Sequence, residues 1–210
     1  SDLIILAARP SVGKTTLAHL VALTLDAPLK TTSGVAIERA GDLAAILTNL
    51  EPGSVLFIDE IHRLGTKIEE LLYPALENGS LDIILGKGPS ARTVELSLPR
   101  FTLVGATTRV AQISGPLRSR FGGGTYQLDF YSDEDLRAIV ARSARVLGLT
   151  VPPSVVAMLA GRSRATPRVA NALLKRVRDY SEVHEVEMNE DACNKACELF
   201  GIDALGLTKD

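Results

Sequence analysis

Apolar residues in the first half of the chain follow two alternating patterns. Residues 3–7, 55–58 and 101–104 form largely apolar runs of strand length. Such runs are typical of strands that are buried on both faces, as in a parallel sheet. Between the first two runs, four apolar residues share one face of a predicted helix: Leu43, Ile46, Leu47 and Leu50. The alternation of strands and helices predicts an α/β domain.

Two features interrupt this alternation. A second apolar stripe, which includes Ile68 and Leu72, predicts another helix, and we expect Pro74 to kink or split it. Residues 81–85 and 91–98 are strand-like and are joined by the turn-rich residues 86–90. They predict a β-hairpin inserted between two elements of the sheet.

After residue 128 the pattern is helical throughout. Ser132 with Asp135 predicts a capping box at the start of one helix. Thr166 followed by Pro167 predicts the N-cap and first residue of another helix. This half of the chain therefore predicts a small helical domain.

The domain boundary follows from these patterns. The last predicted helix starts at Asn189 and ends at Gly201, and the three glycines at 122–124 predict a hinge. We therefore expect residues 1–128 to form the α/β domain, with the hairpin at about 81–98, and residues 129–210 to form the helical domain.

Composition narrows the class of protein. Of the 210 residues, 46% are apolar and 23% are charged, which is typical of a globular chain. Two cysteines are too few for a disulfide scaffold, and no apolar stretch reaches the ~20 residues of a membrane helix. The net charge of −2 gives no bulk attraction to DNA or anionic lipid. With no signal-peptide pattern at its start, we expect the chain to be cytoplasmic, with no membrane partner.

Residues 8–15 have the spacing of a phosphate-binding loop, with Ala8 in the first glycine position. The loop follows a predicted strand and opens a predicted helix, which is the context that the motif requires. Lys14 is expected to neutralise the β- and γ-phosphates of ATP, and Thr15 to bind Mg²⁺. The residues whose backbone groups are expected to cradle the phosphates are Ser11, Val12, Gly13 and Thr16.

A second motif supplies the carboxylates that such a loop requires. The run 55–58 ends in Asp59 and Glu60. Asp59 is expected to hold Mg²⁺ through water, and Glu60 to polarise the attacking water. Together the two motifs predict a nucleoside triphosphatase that uses ATP and Mg²⁺.

Several longer segments resemble the RuvB family of AAA+ Holliday-junction branch-migration motors. The resemblance covers roughly residue 14 to the end, and the matching segments are 31–50, 55–64, 99–109, 116–122, 166–171 and 176–179. It implies a P-loop AAA+ domain followed by a helical lid, and an ATP hydrolase that acts in DNA recombination and repair and in the SOS response.

The resemblance also implies roles for individual residues. Thr107 or Thr108 would be sensor 1, which contacts the γ-phosphate or the attacking water. Arg120 matches the arginine finger, and Arg168 matches the sensor-2 arginine of the lid. Three more positions complete the implied nucleotide site: Tyr131 as an aromatic contact, and Glu77, Asn78 and Gly79 as a stretch that approaches a nucleotide.

Partners are likewise implied by the resemblance. It implies a hexameric ring of identical subunits that acts on Holliday-junction DNA, with RuvC in a larger resolvase complex. The hairpin 81–98 has a counterpart that docks RuvA. An alternative for this hairpin is that its apolar residues pack against its own domain.

The sequence departs from the family in three places. Residues 2–15 resemble instead the phosphate-loop region of the replicative helicase DnaB. We expect the family segment before the first strand, which helps form the adenine pocket, to be missing. We also expect the winged-helix DNA-binding domain to be missing, and DNA binding to be weak without it.

Two other functions remain open from the sequence. One is a clamp-loader type of AAA+ ATPase, which shares the phosphate loop and the finger but is disfavoured by the hairpin. The other is an ATP-binding oligomerisation module with impaired turnover.

Cys193 and Cys197, four residues apart, are expected to be reduced core residues, because His184 completes no metal site with them. His62 follows Asp59 and Glu60 with the spacing of a DExH box, which the family resemblance already explains. The basic stretch 162–178 is expected to be a solvated face of the lid.

Overall fold

The computed structural model describes residues 3–85, 92–122, 124–203 and 206–207 of the 210 residues. Its contacts divide the chain into two compact units, Ser1–Leu128 and Asp129–Asp210. Among the described residues, no helix combines the length and the apolar character that crossing a membrane requires.

The first unit is built on a five-stranded sheet in which all strands are parallel, in the order β2–β3–β6–β1–β7. This confirms the predicted α/β fold with a parallel sheet. The strands are β1 (Leu3–Ala8), β2 (Leu29–Ser33), β3 (Val55–Asp59), β6 (Thr102–Thr107) and β7 (Thr125–Leu128).

Helices cover both faces of this sheet, which explains why its central strands are largely apolar. In β3, Leu56 and Ile58 pack into a core with helices α2 and α3, whereas Val55 and Phe57 pack into a separate core with α1. Successive side chains of a strand point to opposite faces, so both faces need apolar residues. The helices of this unit are α1 (Lys14–Thr24), α2 (Ala40–Thr48), α3 (Thr66–Glu77) and α4 (Gly115–Arg120).

The predicted hairpin is present as a separate two-stranded antiparallel sheet. Its strands are β4 (Ser80–Leu85) and β5 (Arg92–Ser97), and the predicted turn at 86–90 lies outside the described residues. Leu81 is buried and Ile83 packs on the α2–α3 core, whereas Val94 of β5 is exposed. One strand of the hairpin therefore packs on its own domain, and the other presents its side chains to solvent.

Pro74 and Thr166 were both predicted to shape a helix. Pro74 does not split α3, which runs through it as one helix, and the Asn78 amide still donates to the Pro74 carbonyl at 2.8 Å. The helix Pro167–His184 starts as predicted, with Thr166 as its N-cap and Pro167 as its first residue, although the Thr166 hydroxyl donates to the Ser163 carbonyl and not to the helix. A nearby backbone carbonyl thus competes with the helix for the hydrogen bond of the Thr166 side chain.

Among its described residues, the second unit contains four helices around one apolar core: α5 (Asp133–Val146), α6 (Pro153–Gly161), α7 (Pro167–His184) and α8 (Glu190–Leu199). The predicted capping box is confirmed, because Ser132 accepts from the Asp135 amide while Asp135 accepts from the Ser132 amide. The Ser132 hydroxyl also donates to Asp135 Oδ2 at 2.6 Å, and this bond lowers the pKa of Asp135. Asn189 caps α8 and Gly201, with φ of +64°, follows its end. Gly123, in the middle of the predicted hinge, lies outside the described residues.

Candidate active site

The carboxyl ends of three adjacent parallel strands meet at one edge of the sheet. Ala7 near the end of β1 pairs with Thr107 at the end of β6, and Ile58 in β3 pairs with Gly105 in β6. The loop after β1 and the carboxylates after β3 therefore lie on either side of Thr107. Open α/β sheets bind their ligands at this edge.

The loop after β1 has the backbone of an anion site. Ser11 and Gly13 both have positive φ, at 67° and 99°, before α1 begins at Lys14. The first helical bond runs from the Leu17 amide to the Gly13 carbonyl, and no side chain caps this helix start. The amides of the first turn are therefore left for a ligand, and the helix dipole favours a negative one. The loop fits a phosphate group.

Of the side chains in the loop and at the start of α1, some are buried and others are exposed. Lys14 is buried, and its Nζ donates to the carbonyls of Ala8 and Arg9 at 3.2 Å each, which holds the ammonium group over the loop. Val12 is buried as well, so only its backbone is available to a ligand. Thr15 and Thr16 are exposed on the first turn of α1, where a hydroxyl can reach a metal ion.

The two carboxylates differ in their surroundings. Asp59 is the last residue of β3, and its Oδ1 accepts from the Glu60 amide at 3.0 Å. Glu60 has a left-handed backbone with φ of 48°, immediately before a 3-10 turn at Ile61–Arg63. From this position the Glu60 side chain reaches Thr108, the residue that follows β6.

Three side chains form a polar network around Glu60. The Thr108 hydroxyl donates to Glu60 Oε2 at 3.0 Å, and His62 Nδ1 lies 3.2 Å from the same oxygen. His62 Nδ1 also lies 2.9 Å from Thr107 Oγ1, which in turn accepts from the Arg109 amide. Of the two threonines, Thr108 thus contacts the carboxylate, while the buried Thr107 is engaged by its neighbours.

His62 is the member of this network whose position the sequence did not reveal. Its side chain is 5% exposed. Burial lowers the pKa of His62 below its usual value, and the opposing effect of Glu60 is smaller. The DExH-like spacing pointed to this residue, but only the pairing of β3 with β6 brings it to Thr107.

Arg120, the predicted finger, lies at the end of α4 against α3. Its Nε lies 2.7 Å from Glu77 Oε1, but no described acceptor lies in line with the Nε hydrogen, so this contact is an ion pair without hydrogen-bond geometry. Arg120 Nη1 donates to the Pro116 carbonyl at 2.9 Å, and the guanidinium stacks on the Tyr73 ring at 4.0 Å. Asn78 and Gly79 follow Glu77 at the end of α3, where Gly79 has φ of +68°.

The other predicted site residues belong to the second unit. Arg168 is the second residue of α7 and is exposed. It lines a cavity of about 300 Å³ together with Arg162, Arg164 and Arg176. Tyr131 precedes α5 and packs against the lid core.

Cys193 and Cys197 are free thiols buried in the core of the second unit, which confirms that they are core residues. The Cys193 thiol donates to Cys197, and this bond, with Arg162 nearby, lowers the pKa of Cys197. Among the described residues, no group of three or more His, Cys, Asp or Glu side chains is placed to hold a metal ion.

Comparison with known proteins identifies two sequence families. The family described as the Holliday junction DNA helicase RuvB P-loop domain matches residues 1–126, and the RuvB AAA lid domain matches residues 131–203. The first match begins at residue 1 and so includes the loop that resembles DnaB. These matches set aside the clamp-loader alternative.

Individual relatives of this chain belong to the same family. The RuvB subunits of the Holliday junction branch migration complex from Rubrobacter xylanophilus and Dehalococcoides mccartyi are each 53% identical, over 99% and 98% of this chain. The solved RuvB branch-migration motor of Thermotoga maritima superposes with a TM-score of 0.87 at 44% identity, covering 99% of this chain and 65% of that one. A mutant of the same protein gives a TM-score of 0.90. The chain spans 59% of the length of the curated relatives that it matches.

Proposed function

The chain belongs to the RuvB family of P-loop AAA+ proteins, and on this premise we propose that it is the ATP-hydrolysing motor of a protein that drives branch migration of Holliday junctions. One observation carries the proposal. The phosphate loop, the carboxylates of Asp59 and Glu60, and the hydroxyl of Thr108 lie at the same edge of one parallel sheet.

The phosphate side of the site would be held by the loop and the start of α1. The backbone groups of Ser11, Val12, Gly13 and Thr16 would cradle the phosphates, and Lys14 would exchange its carbonyl partners for β- and γ-phosphate oxygens. Thr15 would bind Mg²⁺ directly and Asp59 would bind it through water. The bound ion supplies neutralisation of the phosphate charge.

The water side of the site would be organised by Glu60. Its carboxylate would orient the water that attacks the γ-phosphorus, with ADP and inorganic phosphate as products. Thr108 and His62 both contact Glu60 Oε2, so they would hold this carboxylate in one rotamer. We assign sensor 1 to Thr108 because the Thr107 hydroxyl is already occupied by His62 and by the Arg109 amide.

The remaining residues would complete the site across domains and subunits. Arg120 would enter the site of a neighbouring subunit as the arginine finger, beside Glu77, Asn78 and Gly79. Arg168 and Tyr131 would contact the nucleotide from the lid. These roles require a ring, and we propose a homohexamer.

Partners follow from the same proposal. The hairpin of β4 and β5 would dock RuvA through the exposed side of β5, where Val94 is an apolar anchor. The substrate would be Holliday-junction DNA in the cytoplasm, with RuvC as a further member of the complex. The net charge of −2 provides no bulk attraction to DNA, so we expect RuvA to bring the junction.

Release of inorganic phosphate from ATP tests the catalytic part of this proposal. It is measured for the chain alone, with RuvA, and with RuvA and junction DNA. We expect turnover that Lys14→Ala and Asp59→Asn abolish, whereas Lys67→Ala, an exposed lysine on the first turn of α3, keeps the wild-type rate. Turnover that survives Lys14→Ala would contradict the phosphate-loop assignment. Nucleotide binding without turnover under all three conditions would favour the oligomerisation module.

A further inference from the structure

The proposed finger, Arg120, is held by a neighbouring aromatic residue that no sequence motif singles out. The Arg120 guanidinium carbon lies 4.0 Å from the centre of the Tyr73 ring. This distance is within the range at which the face of an aromatic ring attracts a cation. Tyr73 lies in the middle of α3, and Arg120 is the last residue of α4, so the contact joins two helices.

The Tyr73 ring adds a restraint on the Arg120 guanidinium that its contacts with Glu77 and Pro116 do not provide. The ion pair from Arg120 Nε to Glu77 lacks hydrogen-bond geometry, and the bond from Nη1 to the Pro116 carbonyl uses one of the guanidinium donors. The Tyr73 ring restrains the guanidinium from one face, with the guanidinium carbon 4.0 Å from the ring centre, and it leaves the edge of the guanidinium for a phosphate oxygen.

The Tyr73 hydroxyl ties the same platform to the start of α4. It lies 3.4 Å from Ser114 Oγ and 3.4 Å from Glu69 Oε2. Ser114 is the N-cap of α4, and its Oγ accepts from the Leu117 amide. Tyr73 therefore contacts both ends of the short helix that carries Arg120.

We propose that Tyr73 is a positioning residue for the arginine finger, which presents the guanidinium of Arg120 to the nucleotide of the neighbouring subunit. This inference rests on the proposed role of Arg120 as the finger. Its physical basis is that a finger works through the charge it places at the transferring phosphate, so an unrestrained side chain loses rate. Tyr73 itself touches no reacting atom.

The kinetic test compares Tyr73→Leu with Tyr73→Phe in the presence of RuvA and junction DNA. Loss of a cation–π contact should lower kcat for ATP by about 3- to 30-fold in Tyr73→Leu, with KM within about twofold. Tyr73→Phe keeps the ring and should retain most of the activity. Tyr126→Leu, which removes an exposed tyrosine of β7 in the same unit, should behave as wild type.

A double-mutant cycle with Arg120→Ala separates positioning from general damage. If Tyr73 acts through Arg120, Tyr73→Leu causes no further loss of kcat in the Arg120→Ala background. A full additional loss in that background, or wild-type kcat in Tyr73→Leu when Arg120→Ala is inactive, overturns the inference and leaves the proposed function standing. Normal turnover by Arg120→Ala overturns the finger assignment itself.

A second measurement does not depend on turnover. Protons that stack on an aromatic ring are shifted upfield in the NMR spectrum, so the Arg120 side-chain signals should be shifted in wild type and in Tyr73→Phe. They should move to ordinary positions in Tyr73→Leu. Identical Arg120 signals in wild type and Tyr73→Leu would show that the stacked arrangement is absent and would overturn the inference.

Discussion

Thr108, which directly follows β6, donates a hydrogen bond to Glu60 Oε2 at 3.0 Å, across 48 residues of sequence. The bond links the residue that we propose as sensor 1 to the carboxylate that we propose orients the attacking water. Because Glu60 also has a left-handed backbone, its side-chain direction depends on such partners. The Thr108 hydroxyl therefore helps to set the direction of the Glu60 carboxylate.

We expect Thr108→Val to lower kcat for ATP by about 100-fold, because the valine cannot hold Glu60 and general-base catalysis contributes on the order of 10²–10⁴. Thr108→Ser keeps the hydroxyl and should recover most of this loss. Equilibrium binding of a fluorescent ATP analogue should change little in either variant. Wild-type turnover in Thr108→Val would contradict the role of this bond.

Gly34 limits the space beside Glu60. A Cβ at Gly34 would lie 2.5 Å from the Glu60 carbonyl oxygen, and the Gly34 amide donates to the Asp59 carbonyl at 2.7 Å. We expect Gly34→Ala to lower the free energy of unfolding by about 1–3 kcal/mol, as overpacking does, and to reduce kcat by displacing Glu60. Urea unfolding and phosphate release check the two effects.

Gly41→Ala is the matched control for this substitution. Nothing lies within 4 Å of a Cβ at Gly41, which is in α2. The change should therefore be neutral or stabilise the chain by up to about 1 kcal/mol. Equal losses in both variants would show that the crowding at Gly34 is not the cause.

His62 gives the stability of the chain a dependence on pH. Burial lowers its pKa in the folded state, so between the folded and unfolded values the unfolded chain binds more protons. Stability is then fully present above the unfolded pKa of about 6.5 and falls as the pH drops through this window toward the folded value.

Urea unfolding at pH 7.5 and at pH 5.5 measures this contribution. His62→Gln should be less sensitive to the change of pH than wild type, because glutamine cannot take up the proton. His19→Gln, at an exposed position on α1, should keep the wild-type pH dependence. An unchanged pH dependence in His62→Gln would contradict the assignment.

The sequence predicted the parts of the fold that follow from local pattern. β1, β3 and β6 were found because strands covered by helices on both faces must be apolar at nearly every position. β2 (Leu29–Ser33) and β7 (Thr125–Leu128) were missed, since both are edge strands with mainly half-exposed or exposed residues and carry no apolar run. A strand of this kind is defined by its neighbour in the sheet, which local sequence does not contain.

The candidate site shows the same difference between features set by local sequence and contacts between distant segments. The phosphate loop and Asp59–Glu60 could be read from spacing, because their geometry is built within one strand and one turn. The contacts of Glu60 with Thr108, of His62 with Thr107 and of Arg120 with Tyr73 join residues more than 40 positions apart. They depend on strand order and on how α4 packs beside α3, so no local pattern predicts them.

The last prediction concerns the direction in which Arg120 acts. Arg120 is far along the chain from Lys14, and its guanidinium is held beside α3 by Glu77 and Tyr73. A finger supplied by a neighbouring subunit contributes about 10³–10⁵ in rate by stabilising charge in the transition state. An ordinary surface ion pair contributes little. Arg120→Ala should therefore bind ATP as wild type does and lose nearly all turnover.

Mixed rings test whether the finger acts between subunits. An Arg120→Ala subunit has an intact phosphate loop, and a Lys14→Ala subunit has an intact finger. Because each variant alone keeps at most a small residual turnover, activity in a mixture well above that level requires an Arg120→Ala site to receive the finger of its Lys14→Ala neighbour. We expect partial recovery of phosphate release on mixing, with a maximum near equal amounts. If native mass spectrometry detects mixed rings and no activity returns, Arg120 does not act in trans.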